Sequence, residues 1–124
     1  MAFATERMIA GMGAEAAKNL GGQYNTIAAA GNAIGNATVV TASLCVVTGA
    51  TGGTGVILKG EVGDEVTLYN NAGNTLLVYP ESGGKITISG TGLGTTSAAV
   101  SLATYKSGRY VKVTTTQWVS ILSA

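Results

Sequence analysis

The chain has 124 residues, and only 10% of them are charged, against roughly 25% in typical globular proteins. It carries no histidine, one cysteine and one proline, while Gly (19), Ala (18) and Thr (17) supply close to half of it. A zinc site or a disulfide scaffold within one chain is therefore excluded, and a net charge of +1 leaves no electrostatic footprint for nucleic acid or anionic lipid.

The commonest general base at neutral pH is missing, so the chain is not expected to be an enzyme, and no cofactor or metal is expected. The length suits one domain with a modest core. Low charge with a positive mean hydropathy leaves two ways to make a soluble surface. Either the exterior is rich in Thr, Ser, Asn and Gly, or part of it is buried in an assembly. The composition favours the assembly.

Glu6 and Arg7 interrupt the N-terminus, so no secretory signal is expected there. The uncharged run 19–58 is broken by Asn25, Asn32 and Asn36, and its apolar part, 37–47, is shorter than the ~20 residues of a membrane-spanning helix. No membrane span is expected.

In chain order, 5–20 is predicted as a short helix. Thr5 caps it, Glu6 suits the positive end of the dipole, and Met8, Ile9, Met12, Ala16 and Leu20 line one face. Gly11 and Gly13 each weaken it by ~1 kcal/mol, so it needs a surface to dock on. Residues 23–36 read as a small-residue linker or extended arm, completing an N-terminal arm over 1–36.

From 37 onward, β-branched apolar runs recur between Gly, Asn and Ser clusters. Strands are predicted at 38–47, 55–59, 64–70, 74–79, 85–89, 98–103, 108–114 and 117–122. Val66 and Leu68 alternate with Thr67 and Tyr69, as Val111 and Val113 do with Tyr110 and Lys112, the mark of a sheet with one covered face. Asn70-Asn71-Ala72-Gly73-Asn74 reads as a hairpin loop, Pro80 to Gly84 as a turn, and Thr114-Thr115-Thr116 as the link between the last two strands. No internal repeat aligns. The expected fold is all-β: a small antiparallel sandwich or barrel of about eight strands, jelly-roll-like, over 37–124. Its core anchors are predicted to be Trp118, Val66, Leu68, Val111 and Val113.

Several motifs invite chemistry and lack its context. The stretch from Cys45 to Gly55 has the glycine pattern of a dinucleotide-binding turn, yet β-branched Val56-Ile57 follows where a helix is required. A Gly/Thr loop between two strands is expected instead. Glu61, Asp64 and Glu65 read as a charged turn ahead of a strand rather than a calcium site or a glycosidase carboxylate pair. Cys45, between Leu44 and Val46 with no cation near in sequence, reads as a core cysteine. Asn36-Ala37-Thr38 matches a glycosylation sequon with no secretory signal to make it relevant. Tyr69, Tyr79, Tyr105, Tyr110 and Trp118 would bind sugars or single strands only if exposed in a row; packing is the expected role.

The order of several short strings carries a resemblance over 55–122. Gly63-Asp64-Glu65-Val66-Thr67-Leu68-Tyr69-Asn70, Leu76-Leu77-Val78-Tyr79-Pro80, Gly83-Gly84-Lys85-Ile86 and Gln117-Trp118-Val119 resemble small β-rich virion proteins of tailed bacteriophages. The resemblance implies a capsid decoration (cement) protein on the capsid exterior, often a homotrimer, whose partners are the major capsid protein and copies of itself. An ordered arm costs ~1–2 kcal/mol per residue, which Phe3, Met8, Ile9 and Met12 would have to recover as capsid contacts. A tail or fibre module, or a carbohydrate-binding sandwich, are the alternative readings.

Overall fold

A computed structural model of the chain describes residues 24–88 and 94–123. Among these residues there are ten strands and no helix: β1 (Tyr24–Ala28), β2 (Thr38–Val39), β3 (Leu44–Thr48), β4 (Gly55–Ile57), β5 (Glu65–Asn70), β6 (Leu76–Tyr79), β7 (Lys85–Thr87), β8 (Val100–Leu102), β9 (Ser107–Lys112) and β10 (Gln117–Leu122). The helix expected over 5–20 lies outside the described residues, and with it Phe3, Met8, Ile9 and Met12.

The strands form two mixed sheets around one core. The larger runs β1-β3-β5-β9-β10-β7 and the smaller β2-β4-β6-β8. From β1 to β9 successive strands alternate between them. β1, β3 and β5 therefore stack in parallel in one sheet, and β2, β4 and β6 in parallel in the other. Each coil crosses from the large sheet to the small one and back. Partners in the large sheet stand 20 residues apart (Tyr24 and Leu44), then 23 (Leu44 and Thr67). In the small sheet Thr38 and Val56 stand 18 apart, and Val56 and Val78 stand 22 apart. β9 and β10 close the large sheet as an antiparallel hairpin, with β9 against β5 and β10 beside β7.

Four expectations need correction. Five of the eight strand pairings are parallel, so the antiparallel, jelly-roll-like arrangement gives way to mixed sheets. Residues 70–74 do not close a hairpin but arch from β5 in one sheet to β6 in the other. The run 38–47 is two strands in different sheets. Finally, 24–28 is not linker: β1 pairs with β3 through five registered residues.

The sequence differs between the sheets because their surroundings differ. In the large sheet burial alternates strictly, as in β5, where Val66, Leu68 and Asn70 point inward. β4 and most of β6 are buried on both sides, which explains the unbroken apolar runs there. The segment after β1 is fastened to the small sheet. Ala30 bridges to Gly55, and the Tyr79 hydroxyl donates to the Asn32 carbonyl at 3.2 Å. Gly55 has no room for a side chain: a Cβ there would stand 2.7 Å from the Leu77 carbonyl oxygen and 2.8 Å from the Tyr79 ring.

Buried Asn70 fastens the arch. Its Nδ2 donates to the carbonyls of Asn74 (2.8 Å) and Leu102 (3.0 Å), and its Oδ1 accepts from the Ala72 N–H (3.1 Å). One side chain thus ties β5, the arch and β8 together, satisfying backbone groups that the turn leaves inside.

Candidate functional site

Three places combine polar or apolar groups in a way that a bare core would not: the inner end of the β9–β10 hairpin, the outer face of the large sheet, and a groove at one end of the coils.

The hairpin puts Lys112 opposite Trp118 and Trp118 opposite Ile86. Trp118, Val66 and Leu68 are buried. Val111 and Val113 are not core anchors: Val111 is half-buried and Val113 is 45% exposed, both on the outer side. Their places inside are taken by Tyr110 and Lys112. Lys112 is tolerated there because its Nζ donates to the Gly60 carbonyl (2.7 Å) and to Glu81 Oε1 (2.8 Å), and lies 5.7 Å from the centre of the Trp118 ring. The cluster ties the β4–β5 turn, the β6–β7 turn and the hairpin together. Its groups are engaged with one another, so it acts as a clasp.

Tyr110 is a further inward polar group, and among the described residues its Oη has no hydrogen-bond partner. The ring lies across Gly108, where a Cβ would stand 2.7 Å from that oxygen. Burial pushes the phenol well above its ordinary value, so the folded protein keeps it neutral. In the unfolded chain it ionises near pH 10. The unfolded state then binds fewer protons than the folded one, and stability falls as pH rises above about 10. Tyr110→Phe is expected to be neutral or to stabilise by about 1 kcal/mol at pH 7, because no bond is lost with the hydroxyl. It should also remove this residue's share of the alkaline loss, as urea denaturation from pH 8 to 11 would show. A Phe variant that loses stability at pH 7 would mean that the hydroxyl has a partner.

On the outer face of the large sheet, Leu44, Thr67, Arg109 and Ile121 form one cross-strand row. Val46, Tyr69 and Ser107 form the next, and Glu65, Val111, Val119 and Thr87 flank the first on its other side. Leu44 is 41% and Ile121 58% exposed. Among the described residues, the ion pair on this face joins the Arg109 guanidinium to Glu65, both about half exposed. Lys85, in register with Gln117 on the edge strand β7, lies on the same side, so the surface is broad and β-branched with three charges on its strands.

The groove, about 280 Å³, lies between the β2–β3 and β4–β5 turns and is lined by Thr41, Ser43, Lys59, Asp64 and Glu65 among others. Its carboxylates already have work: Asp64 accepts the Glu61 N–H at 2.8 Å, and Glu65 holds Arg109. Among the described residues no group of three or more Asp, Glu, Cys or His side chains is placed to hold a metal, and no helix is long and apolar enough to cross a membrane.

Compared with protein families, curated proteins and solved structures, the chain finds no match.

The remaining candidates take structural places. The glycine-rich stretch arches from β3 to β4, with Gly49 (φ 67°) and Gly53 (φ 85°) in the left-handed region that the turn demands. A strand in the opposite sheet follows it, so no helix terminus faces a phosphate. Cys45 is fully buried, and burial pushes its thiol up, away from the reactive thiolate. The aromatic residues form no exposed row. Tyr79, Tyr110 and Trp118 are buried and Tyr69 is half-buried. Among the described aromatic side chains Tyr105 alone is largely exposed, at the β8–β9 turn, with a positive φ of 58°.

Sequence reasoning missed the Lys112–Glu81 clasp and the Glu65–Arg109 pair. Both join residues distant in sequence, which periodicity does not connect. The clasp had one local signal: a three-residue loop at 114–116 pairs 112 with 118, so an inward Trp118 requires an inward Lys112.

Proposed function

We propose that the chain is a non-enzymatic structural protein of a tailed-phage virion, a decoration protein that binds and stabilises the outside of the capsid. Its partners in this reading are the major capsid protein and copies of itself, with a trimer as the expected assembly. The observation that supports it best is the large sheet's outer face, broad and β-branched with few charges on its strands. Such a face suits protein contact and offers nothing to a small polar substrate.

The resemblance adds to this reading. Its strings fall on β5, β6, β7 and β10 and on the turns leading into β5 and β7, so it follows elements that build the body and not a single loop. The segment 1–23 joins the body at β1, an edge strand of the large sheet, and is assigned the capsid contact through Phe3, Met8, Ile9 and Met12. Repetition over a shell would multiply a modest contact through avidity.

The test is cosedimentation with capsid shells that lack the protein. The full chain is expected to bind saturably. A variant lacking 2–23, which spares β1, should keep its β-sheet circular dichroism and lose binding. Binding retained by the truncated chain would overturn the role of the N-terminal segment, and failure of the full chain to bind would overturn the decoration role. A tail or fibre module would rest on the same β-rich body and differ in copies per particle.

A further inference from the structure

Among the described residues, two other than glycine hold a left-handed backbone, Ser97 (φ 57°) and Tyr105 (φ 58°). Each is the third residue of a turn, closed by Ala98 N–H to the Thr95 carbonyl and by Lys106 N–H to the Ala103 carbonyl. That position favours Gly or Asn, and a bulky side chain there is strained. Ser97 has an internal reason for it: its N–H donates to the Gly84 carbonyl (2.7 Å), and its Oγ accepts the Gly83 N–H (2.8 Å). Tyr105 has none. Its ring is 62% exposed, and its hydroxyl bonds to nothing among the described residues. Yet the turn that carries it is pinned. The Tyr105 N–H donates to the Asn70 carbonyl (2.8 Å), the Asn70 N–H to the Lys106 carbonyl (3.0 Å), and the Thr104 hydroxyl to the Ala72 carbonyl. Strain kept at an exposed, rigidly presented ring points outward, to a partner.

We propose that Tyr105 anchors a head-to-tail contact, its ring seated in the groove of a second copy of the chain. This deepens the self-association in the reading above and rests on it.

Ring and groove lie at opposite ends of the body. β5 starts beside the groove at Glu65 and ends at Asn70, which holds the Tyr105 turn, six residues or ~20 Å away. A chain therefore cannot fill its own groove, and the contact passes from copy to copy. A heterologous contact of this kind closes into a ring when the rotation allows, three copies in the reading above.

The groove suits this occupant. Its 280 Å³ gives room for one aromatic side chain, with Val40 and Val66 as apolar wall and Thr41, Ser43 and Asp64 as polar lining. Asp64 accepts the Glu61 N–H with Oδ2, which leaves Oδ1 for the phenol hydroxyl. Side-chain charge has the right sign as well. The loops at the Tyr105 end, 29–37, 49–54, 71–75 and 103–106, hold no Asp or Glu and one cation, Lys106. At the groove end Glu65 is paired with Arg109 and Glu81 with Lys112, so Glu61 and Asp64 stand against Lys59. Lys85 is on β7, three strands or ~14 Å from β5, beyond a Debye length. The surroundings of the groove thus carry one negative charge in excess. A single ring buries only about 150–250 Å², so each contact is weak, and closure gives every copy two of them.

The experiment is the mass of the full chain by sedimentation equilibrium across a dilution series, beside Tyr105→Asn and Thr41→Trp. Asn suits the left-handed turn and removes the ring, while Trp at exposed Thr41 fills the groove. The wild type is expected to reach three copies at high concentration, and each variant to stay a single copy with unchanged circular dichroism. Mixed at high concentration, the two variants should form a 1:1 pair, because each supplies the half that the other lacks. At dilutions where the wild type is a single copy, Tyr105→Asn should keep or raise its urea midpoint. A lowered midpoint there would overturn the proposal by showing that the ring serves the fold. An assembled wild type whose mass Tyr105→Asn leaves unaltered, or variants that do not pair, would overturn this contact and leave the reading above in place. A wild type of one copy at every concentration would overturn the contact together with the self-association it rests on.

Discussion

Replacing Trp118 by alanine is expected to destabilise the protein by about 3–5 kcal/mol, the range for truncating a large buried aromatic. A domain of this size has only about 5–15 kcal/mol to lose. Trp118 is 1% exposed and sits in register between Lys112 and Ile86, so its removal leaves a cavity and also strips the apolar wall beside a buried ammonium. Trp118→Phe keeps a ring there and should cost about half as much. Urea denaturation followed by far-ultraviolet circular dichroism reads both, since the variants lose the only tryptophan as a fluorescent probe. Equal costs would mean that the ring is not what the core needs at this position.

The second large effect concerns Glu81. Lys112 Nζ is nearly sealed from solvent, and Glu81 is the one carboxylate bonded to it. Glu81→Gln keeps the shape and removes the charge, leaving a buried ammonium short of compensation. Full burial of both partners would make that 3–5 kcal/mol; Glu81 keeps a third of its side chain in solvent, so about 2–3 kcal/mol is expected. Lys112→Met preserves the aliphatic stem against Trp118 and leaves a carboxylate that water can reach, at about 1–2 kcal/mol. The double variant should then be more stable than Glu81→Gln alone, because the stranded charge is gone. A double-mutant cycle measures this directly. Strictly additive costs would show that the two residues do not act as a clasp.

The clasp also explains what was legible in the sequence. Every predicted strand run contains a strand, and β5 and β10 fall where alternation and turn residues place them. The hairpin at 114–116 was legible too. Yet Trp118 and the pair Val111 and Val113 were both expected inside, and that hairpin's register allows only one of them. Hydrophobicity alone prefers the valines. The structure prefers Tyr110 and Lys112, because Gly60 and Glu81 supply partners from turns 52 and 31 residues away.

Strand pairing was the least legible part. A five-residue loop such as 70–74 closes a hairpin or arches between sheets with much the same residues, so the antiparallel reading had no local contradiction. The coils repeat at 20 and 23 residues in one sheet and at 18 and 22 in the other. Unequal spacing, with simple β-branched residues at matching positions, hides the repeat from alignment. The outer face was invisible for a related reason. Leu44, Arg109 and Ile121 become neighbours only when β3, β5, β9 and β10 lie side by side.

The account stands or falls on whether the chain is a virion component present in many copies. The most direct test of the proposed virion role is its copy number in purified particles of a phage whose genome carries this sequence, relative to the major capsid protein. Decoration predicts a ratio approaching that of the capsid protein. A few copies per particle would contradict decoration and place the chain at a tail or vertex, and complete absence would contradict the virion role itself.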